Sequence, residues 1–270
     1  MSTILITGAS SGIGFDVAKA LALRGHLVFA AARSMNKLET LRDFGIVPIE
    51  LDVTSAESIQ QAVTSVQEQG GRIDVLINNA GYGEFGALED VSLAAARKQF
   101  DVNVFGLVEM TKAVLPGMRE QGAGRIINVS SMGGKFVSYF GNWYHASKYA
   151  VEALSDGLRM ETAVHGIDVV LIEPSAIKTP WGSIAADNLE KSSAAGAYGS
   201  EAKRAARGMR KLYAGSFISG PEVVVKAIVQ AVEAKKPRTR YLVGRGARAL
   251  VAAHAVLPDK LFDALMRRAV

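Results

Sequence analysis

The sequence predicts an α/β domain: one doubly wound, parallel sheet of about seven strands with helices on both faces. Three observations lead there. Short apolar runs rich in β-branched residues alternate with longer stretches of helical spacing from the third residue onward. The short runs are continuously apolar, as strands buried on both faces require. Several helical stretches stop at glycine, namely Gly25, Gly45, Gly70-Gly71 and Gly166.

In chain order, Thr3–Thr7 is the first strand and Ile13–Arg24 the first helix. Leu27–Ala32 is the second strand, followed by a helix over Lys37–Phe44 and a strand over Ile46–Leu51. Ala56–Gln69 is helical and Ile73–Asn78 a strand. The long stretch Leu93–Gln121 reads as one helix with a kink or break at Pro116. Arg125–Ser130 is a strand, Asn142–His165 a long helix, and Ile167–Glu173 a strand stopped by Pro174. Pro221–Ala234 is a helix with proline in its first turn, and Arg240–Val243 a last short strand. Residues 181–220 break the rhythm; rich in Ala, Ser and Gly, they form either a lid over the strand ends or a plain surface insertion. Residues 245–270 form a helical extension that covers the core or a partner subunit, or lies on a membrane surface. No interdomain linker interrupts residues 1–270, so a single domain is expected.

The 270 residues are 49% apolar and 21% charged, enough for one large core and too apolar for disorder. The absence of cysteine excludes disulfides, thiolate nucleophiles and zinc–thiolate sites. The net charge of +5 comes without an interleaved aromatic platform, so no nucleic-acid partner is expected. No apolar run approaches the roughly 20 residues that span a bilayer. Met1–Thr7 lacks the basic segment of a signal peptide, and a cytoplasmic protein is expected. His26, His145, His165 and His254 share no metal-ligand spacing; they read as structural or surface residues, and no metal is expected.

Between the first strand and first helix lies Thr7-Gly8-Ala9-Ser10-Ser11-Gly12-Ile13-Gly14. Glycines let the backbone approach a pyrophosphate, and the helix N-terminus supplies free N–H donors with positive partial charge. The spacing is G-x-x-x-G-x-G rather than the common dinucleotide fingerprint. At the end of the second strand, where an NAD enzyme carries an acidic residue, stand Arg33 and Ser34. A guanidinium grips a ribose 2′-phosphate that a carboxylate would repel, so NADP(H) is the expected cofactor. Asp52-Val53, ending the third strand, sits near the adenine, or else Asp52 serves the start of the next helix.

Taken together, Thr7–Gly14, Asn78-Asn79-Ala80-Gly81, Asn103, Ser131, Tyr144-His145-Ala146-Ser147-Lys148 and Pro174 to Thr179 resemble the short-chain dehydrogenase/reductase family, in order and nearly to residue 245. Arg33 and the Glu173-Pro174 pair resemble its hydroxysteroid- and retinol-dehydrogenase-like branch. The resemblance implies a Rossmann-type, NAD(P)-binding domain and a carbonyl–alcohol oxidoreductase. Tyr144 and Lys148 are spaced i, i+4 and share a helix face. An ammonium nearby stabilises phenolate, so the pair can give a proton to an alkoxide or take one from an alcohol. By resemblance, Lys148 also bonds the nicotinamide ribose, Ser131 holds the substrate oxygen and Asn103 supports a water-mediated relay to Lys148. Also by resemblance, Asn79, Ala80 and Gly81 face the cofactor, Pro174 and Thr179 lie near it, and the Ile177 backbone bonds the carboxamide. The family reads Pro-Gly where this chain has Pro174-Ser175; a positive φ there would strain the serine and disturb nicotinamide placement.

Phe136, Tyr139, Phe140, Trp143 and Trp181 either line a roomy apolar crevice or fill the core. The crevice reading suits a hydrophobic ketone, aldehyde or secondary alcohol, with reduction the expected direction. The alternative is a non-catalytic NADP(H) sensor on the same fold, which would have no need of both Tyr144 and Lys148. The resemblance also implies a homodimer or homotetramer paired through the two long helices.

Overall fold

In the computed structural model, which describes residues 1–268, strand β1 (Thr3–Thr7) is buried along its whole length. Ile4 and Ile6 turn to one face of the sheet and Leu5 to the other, the two-residue alternation of an extended chain. The other strands are β2 (Leu27–Ala32), β3 (Val47–Glu50), β4 (Val75–Asn78), β5 (Gly124–Val129), β6 (Ile167–Pro174) and β7 (Arg240–Val243). All pair in parallel, in the order β3-β2-β1-β4-β5-β6-β7. The chain winds outward one way from β1 through β3 and the other way from β4 onward. The carboxyl ends of β1 and β4 therefore flank a crevice, the switch point where such sheets bind ligands.

Helices cover both faces. On the Ile4 face lie α1 (Gly12–Ala22) and, later in the chain, the helix Glu222–Glu233, packed through Val17, Leu21, Val224 and Ile228. On the Leu5 face, α3 (Ala56–Gly70) contributes Ile59, Val63 and Val66. The expected Lys37–Phe44 helix is instead a short α2 (Met35–Leu38) running into a 3₁₀ segment, Glu39–Phe44. Buried Leu38 and Leu41 are three residues apart, the repeat of the tighter helix, and Gly45 ends it with a φ of 72°.

The long stretch from residue 93 is not broken at Pro116. It consists of α4 (Leu93–Phe100), a π-helical turn over Asp101–Phe105, and α5 (Gly106–Gln121), which runs through the proline. Pro116 and Lys112 one turn earlier are both exposed, so the carbonyl that loses its donor faces water. The irregularity falls at Asn103 instead. After β5 come α6 (Asn142–Thr162), with a 3₁₀ turn to His165, and then β6.

Residues 181–220 contain two helices, α7 (Trp181–Ser193) and α8 (Gly199–Ala214). They close on each other through Ala185, Ala186 and Leu189 against Ala202, Ala205, Ala206 and Met209, side chains small enough for near approach. The helix Glu222–Glu233 is thus α9. The extension beyond 245 holds α10 (Ala247–Val256) and α11 (Asp259–Arg268), separated at Leu257-Pro258. Phe262 and Met266 of α11 pack on Phe136. Of the expected domain 1–270 and extension 245–270, residues 269 and 270 lie outside the described residues.

Candidate active site

The glycine turn is shaped by its neighbours. Gly8 has a φ of 67°, and a Cβ there would stand 2.7 Å from the Ala80 Cα. A Cβ on Gly14 would meet the Asn79 Nδ2 at 2.5 Å and the Gly8 carbonyl at 2.6 Å. Two polar residues hold these loops together. The Thr7 hydroxyl accepts from the amides of Asn79 and Ala80, both at 3.0 Å. The Asn79 Nδ2 donates to the carbonyls of Thr7 and Gly8, at 3.0 and 3.1 Å. Gly12 differs: its φ is 57° and its Cβ position meets only Thr179, at 3.7 Å.

Helix α1 begins at Gly12 behind Ser11, whose side chain makes no capping bond. Its first-turn amides are thus left for an anion, beside Ser10 and Ile13, as a pyrophosphate cradle requires. Arg33 is exposed at the end of β2, followed by half-buried Ser34. Asp52 is engaged in its own turn. Its Oδ1 accepts from the Thr54 amide at 2.9 Å and from the Thr54 hydroxyl at 2.7 Å, holding the carboxyl below its usual range. Ser55 caps α3 by accepting from the Ser58 amide. Val53 packs instead against Gly106, where a Cβ would lie 2.7 Å from its carbonyl oxygen.

On the other side of the crevice, Ser131, Tyr144 and Lys148 converge. Ser131 follows β5, and its hydroxyl is close enough to the Tyr144 phenol to favour the ionised form. Its Oγ also accepts from the Gly133 amide at 3.0 Å and donates to the Pro174 carbonyl at 3.4 Å. Lys148, one turn along α6, has its Nζ 5.9 Å from the Tyr144 ring centre and donates to the Val129 carbonyl at 2.9 Å. The expected lowering of the phenol by the ammonium is not what governs it. Burial dominates and pushes Tyr144 up to about 12, with the Ser131 hydroxyl drawing it partly back. Burial pushes Lys148 down to about 8, opposed by Glu152 one further turn along the helix. Glu152 and Glu173 share the cations Lys135 and Arg240, and burial together with the neighbouring carboxylate raises Glu173.

Asn103 is buried in the π-turn. Its Oδ1 accepts from the Tyr82 amide at 3.1 Å, and its Nδ2 donates to the Tyr82 carbonyl and to the Ser147 Oγ, both at 3.0 Å. Its side chain clamps the loop after β4 to α6, and a Cβ at Gly81 would touch both its Oδ1, at 3.1 Å, and the Lys148 Nζ, at 3.8 Å. Beyond β6, Ser175 does not carry the feared strain: among the described residues the only non-glycine with positive φ is Phe140. The Ser175 amide donates to the Val243 carbonyl, and its Oγ lies against Gly244, where a Cβ would come within 2.1 Å. Ile177 bridges to Ser219 and is buried, while Thr179 faces Gly12.

The aromatic wall differs from the sequence expectation. Trp181 lies 5.0 Å from the Tyr144 ring and 6.1 Å from Tyr213 (centre to centre), and Phe85 stacks on Tyr144 at 5.6 Å. Tyr139 and Phe140 join the same cluster. Phe136 does not; it meets Phe262 at 5.4 Å. Trp143 turns to Phe100 at 6.3 Å, since residues adjacent on a helix diverge by about 100°. Phe85 and Tyr213 were not legible as wall residues, because each is brought there by a segment distant in sequence. With these rings in place Tyr144 is only 9% exposed. Among the described residues no group of three or more His, Asp or Glu side chains could hold a metal ion, and no helix is long and apolar enough to cross a membrane.

A phosphate-type cradle at the switch point, facing a Ser–Tyr–Lys cluster across the crevice, defines a nucleotide-dependent oxidoreductase of the short-chain type. Residues 2–189 match the family model described as short chain dehydrogenase, and the chain belongs to that family. It is 33% identical over 269 residues to the probable short-chain type dehydrogenase/reductase VdlC of Helicobacter pylori, covering 98% of this chain and 97% of that protein. It is 37% identical over 279 residues to 3-ketodihydrosphingosine reductase of Bacteroides thetaiotaomicron, covering 98% and 96%. A crystal structure of a short-chain dehydrogenase from Streptomyces avermitilis superposes with a TM-score of 0.80 at 32% identity, over 94% of this chain and 92% of that one. The closed form of a serine dehydrogenase complexed with NADP+ gives 0.77 at 29% identity, over 90% and 94%.

Proposed function

We propose that the protein is an NADP(H)-dependent reductase of hydrophobic ketones or aldehydes, interconverting carbonyl and alcohol. The observation that carries this reading is the convergence of Ser131, the buried Tyr144 phenol and Lys148 at one place, enclosed by aromatic rings. The residues fit the cofactor. Gly8, Ser10, Ser11, Gly12, Ile13 and Gly14 would hold its pyrophosphate, and Arg33 with Ser34 its 2′-phosphate. Asp52 and Val53 would border the adenine. Asn79, Ala80 and Gly81 would line its middle, and Pro174, Ile177 and Thr179 its nicotinamide end. Tyr144 and Lys148 would reach the ribose. The uncapped first turn of α1 and the exposed Arg33 guanidinium support this assignment, as does the NADP+ complex of the serine dehydrogenase.

The bound reduced cofactor supplies the hydride. Ser131 holds the carbonyl oxygen and Tyr144 gives it the phenolic proton. A phenol pushed up to about 12 keeps its proton at neutral pH, the state that reduction needs. Lys148, near 8, stands one turn away as the group that returns the proton. Asn103 contributes through its hold on Tyr82 and Ser147. Because Trp181 covers the phenol, α7 and α8 act as the lid, and substrate enters when they move. The apolar wall, and the sphingoid ketone named for the Bacteroides relative, favour a large hydrophobic substrate.

The test is a panel of carbonyl compounds with NADPH, read as loss of nicotinamide absorbance and spanning long-chain, steroid, retinoid, aromatic and sugar carbonyls. Tyr144→Phe should lower turnover of any active compound by about 10³-fold while NADPH still binds. Turnover that survives this substitution would remove Tyr144 as the proton donor. NADPH binding with no turnover anywhere on the panel would favour a sensor.

A further inference from the structure

His145 follows the phenol, yet its ring enters a different environment. It is buried between Phe85 and Phe136, with ring centres 6.4 Å away on either side. Its Nδ1 lies 2.8 Å from the Gly133 carbonyl. Its Nε2 lies 3.1 Å from the Ser138 amide and 2.8 Å from the Ser138 hydroxyl. These partners fix the tautomer. A carbonyl only accepts, so Nδ1 carries the hydrogen; a backbone amide only donates, so Nε2 presents its lone pair. The ring is therefore a neutral bridge, and burial pushes it down to about 4.

Two glycines are shaped around this ring. A Cβ on Gly133 would stand 2.7 Å from Nδ1, and one on Gly141 would stand 2.5 Å from Cδ2 and 2.7 Å from Nε2. Gly133 and Gly141 lie near the two ends of the loop that leaves Ser131 and enters α6. Within that loop, the Gly133 amide donates to the Ser131 Oγ, and Phe140 is held at a φ of 61° in the wall beside Tyr144.

We infer that His145 is a positioning residue for the carbonyl-holding hydroxyl: through Gly133 and Ser138 it sets the loop 131–141, and with it both the Ser131 Oγ and the Phe140 side of the substrate wall. This rests on the reading of Ser131 as the group that holds the carbonyl oxygen. The device differs from a plain core histidine in its reach. One side of the ring is tied to the residue that orients Ser131, the other to the segment that carries the wall.

The test compares His145→Leu, which keeps bulk and loses all three contacts of the ring nitrogens, with His145→Asn, whose amide nitrogen falls where Nδ1 stands and can again donate to Gly133. Amide hydrogen exchange of the free protein reads the loop without any substrate. His145→Leu should speed exchange across 131–141 by about tenfold or more, with β1 and α1 unchanged, and His145→Asn should restore most of the protection. With a carbonyl from the panel that turns over, His145→Leu should lower kcat by about a hundredfold while the NADPH Kd stays within about twofold. His145→Asn should recover most of that rate. Unchanged exchange in His145→Leu overturns the inference, as does His145→Asn behaving no better than His145→Leu. If His145→Leu does not fold, His145→Asn decides alone: near-wild-type protection of the loop supports the inference and a tenfold loss ends it. Because exchange needs no turnover, a silent carbonyl panel counts against the proposed reaction and leaves this result standing.

Discussion

Arg33 and His145 stand in opposite environments, one exposed and one buried. Arg33 projects from the end of β2 into solvent, where a guanidinium loses little by waiting for a phosphate partner. Arg33→Asp should shift the ratio of kcat/KM for NADPH over NADH toward NADH by about tenfold to a hundredfold, the worth of charge-assisted bonds to a phosphate. An unmoved ratio would show that another group selects the cofactor. His145 couples to pH. Its folded pKa of about 4 lies below the ordinary 6.5, so as pH falls the unfolded chain takes up the proton first. Its contribution is whole above about pH 6.5 and is lost as pH drops toward 4, on the order of 3 kcal/mol. Urea unfolding at pH 7 and near pH 4.5 should show the wild type losing more stability than His145→Asn over that interval. Equal losses would mean that the imidazole titrates normally.

At the scale of elements, the site is assembled by loops that the sheet brings together. The π-turn at Asp101–Phe105 replaces a regular turn just where Asn103 must reach Tyr82 and Ser147 at once. Periodicity alone marked a long helix there and pointed to Pro116 as its weak point, because proline is visible in a sequence and a π-turn is not. The helical pair α7 and α8 is the other element-scale feature. Helices α7 and α8 hold Trp181 and Tyr213 over the phenol, where the sequence offered a lid or a plain surface insertion without fixing its contacts. Trp181→Ala should raise KM for a bulky carbonyl by about tenfold and leave the NADPH Kd unchanged. A KM that does not move would place the substrate away from this wall.

At the scale of the whole molecule, large apolar side chains stand exposed on the two long helices. Along α5 and α6, and on the turns flanking them, Phe105, Tyr149, Leu154, Met160 and Val164 are exposed, with Met160 at 71% and Val164 at 83%. These helices are the ones expected to pair across a twofold axis, and burying such side chains is favourable by roughly 25 cal/mol per Å². Light scattering should therefore give twice or four times the 28.6 kDa of one chain, and Met160→Glu should reduce the assembly. A wild-type mass of a single chain would refute the pairing.

The sequence by itself determined the winding of the sheet, the tight glycine turn at Gly8–Gly14, and the spacing that puts Tyr144 and Lys148 one turn apart. These are local matters: strand burial, glycine conformation and the helical repeat act over a few residues and leave their mark in the order of side chains. Tertiary structure alone decided that burial outweighs the ammonium at Tyr144, that Asp52 serves its own turn, and that Phe85 and Tyr213 rather than Phe136 and Trp143 enclose the phenol. It also decided that His145 spans the loop behind Ser131. Each of these depends on which distant segment supplies the neighbouring atom, and therefore on desolvation and packing that no local pattern encodes.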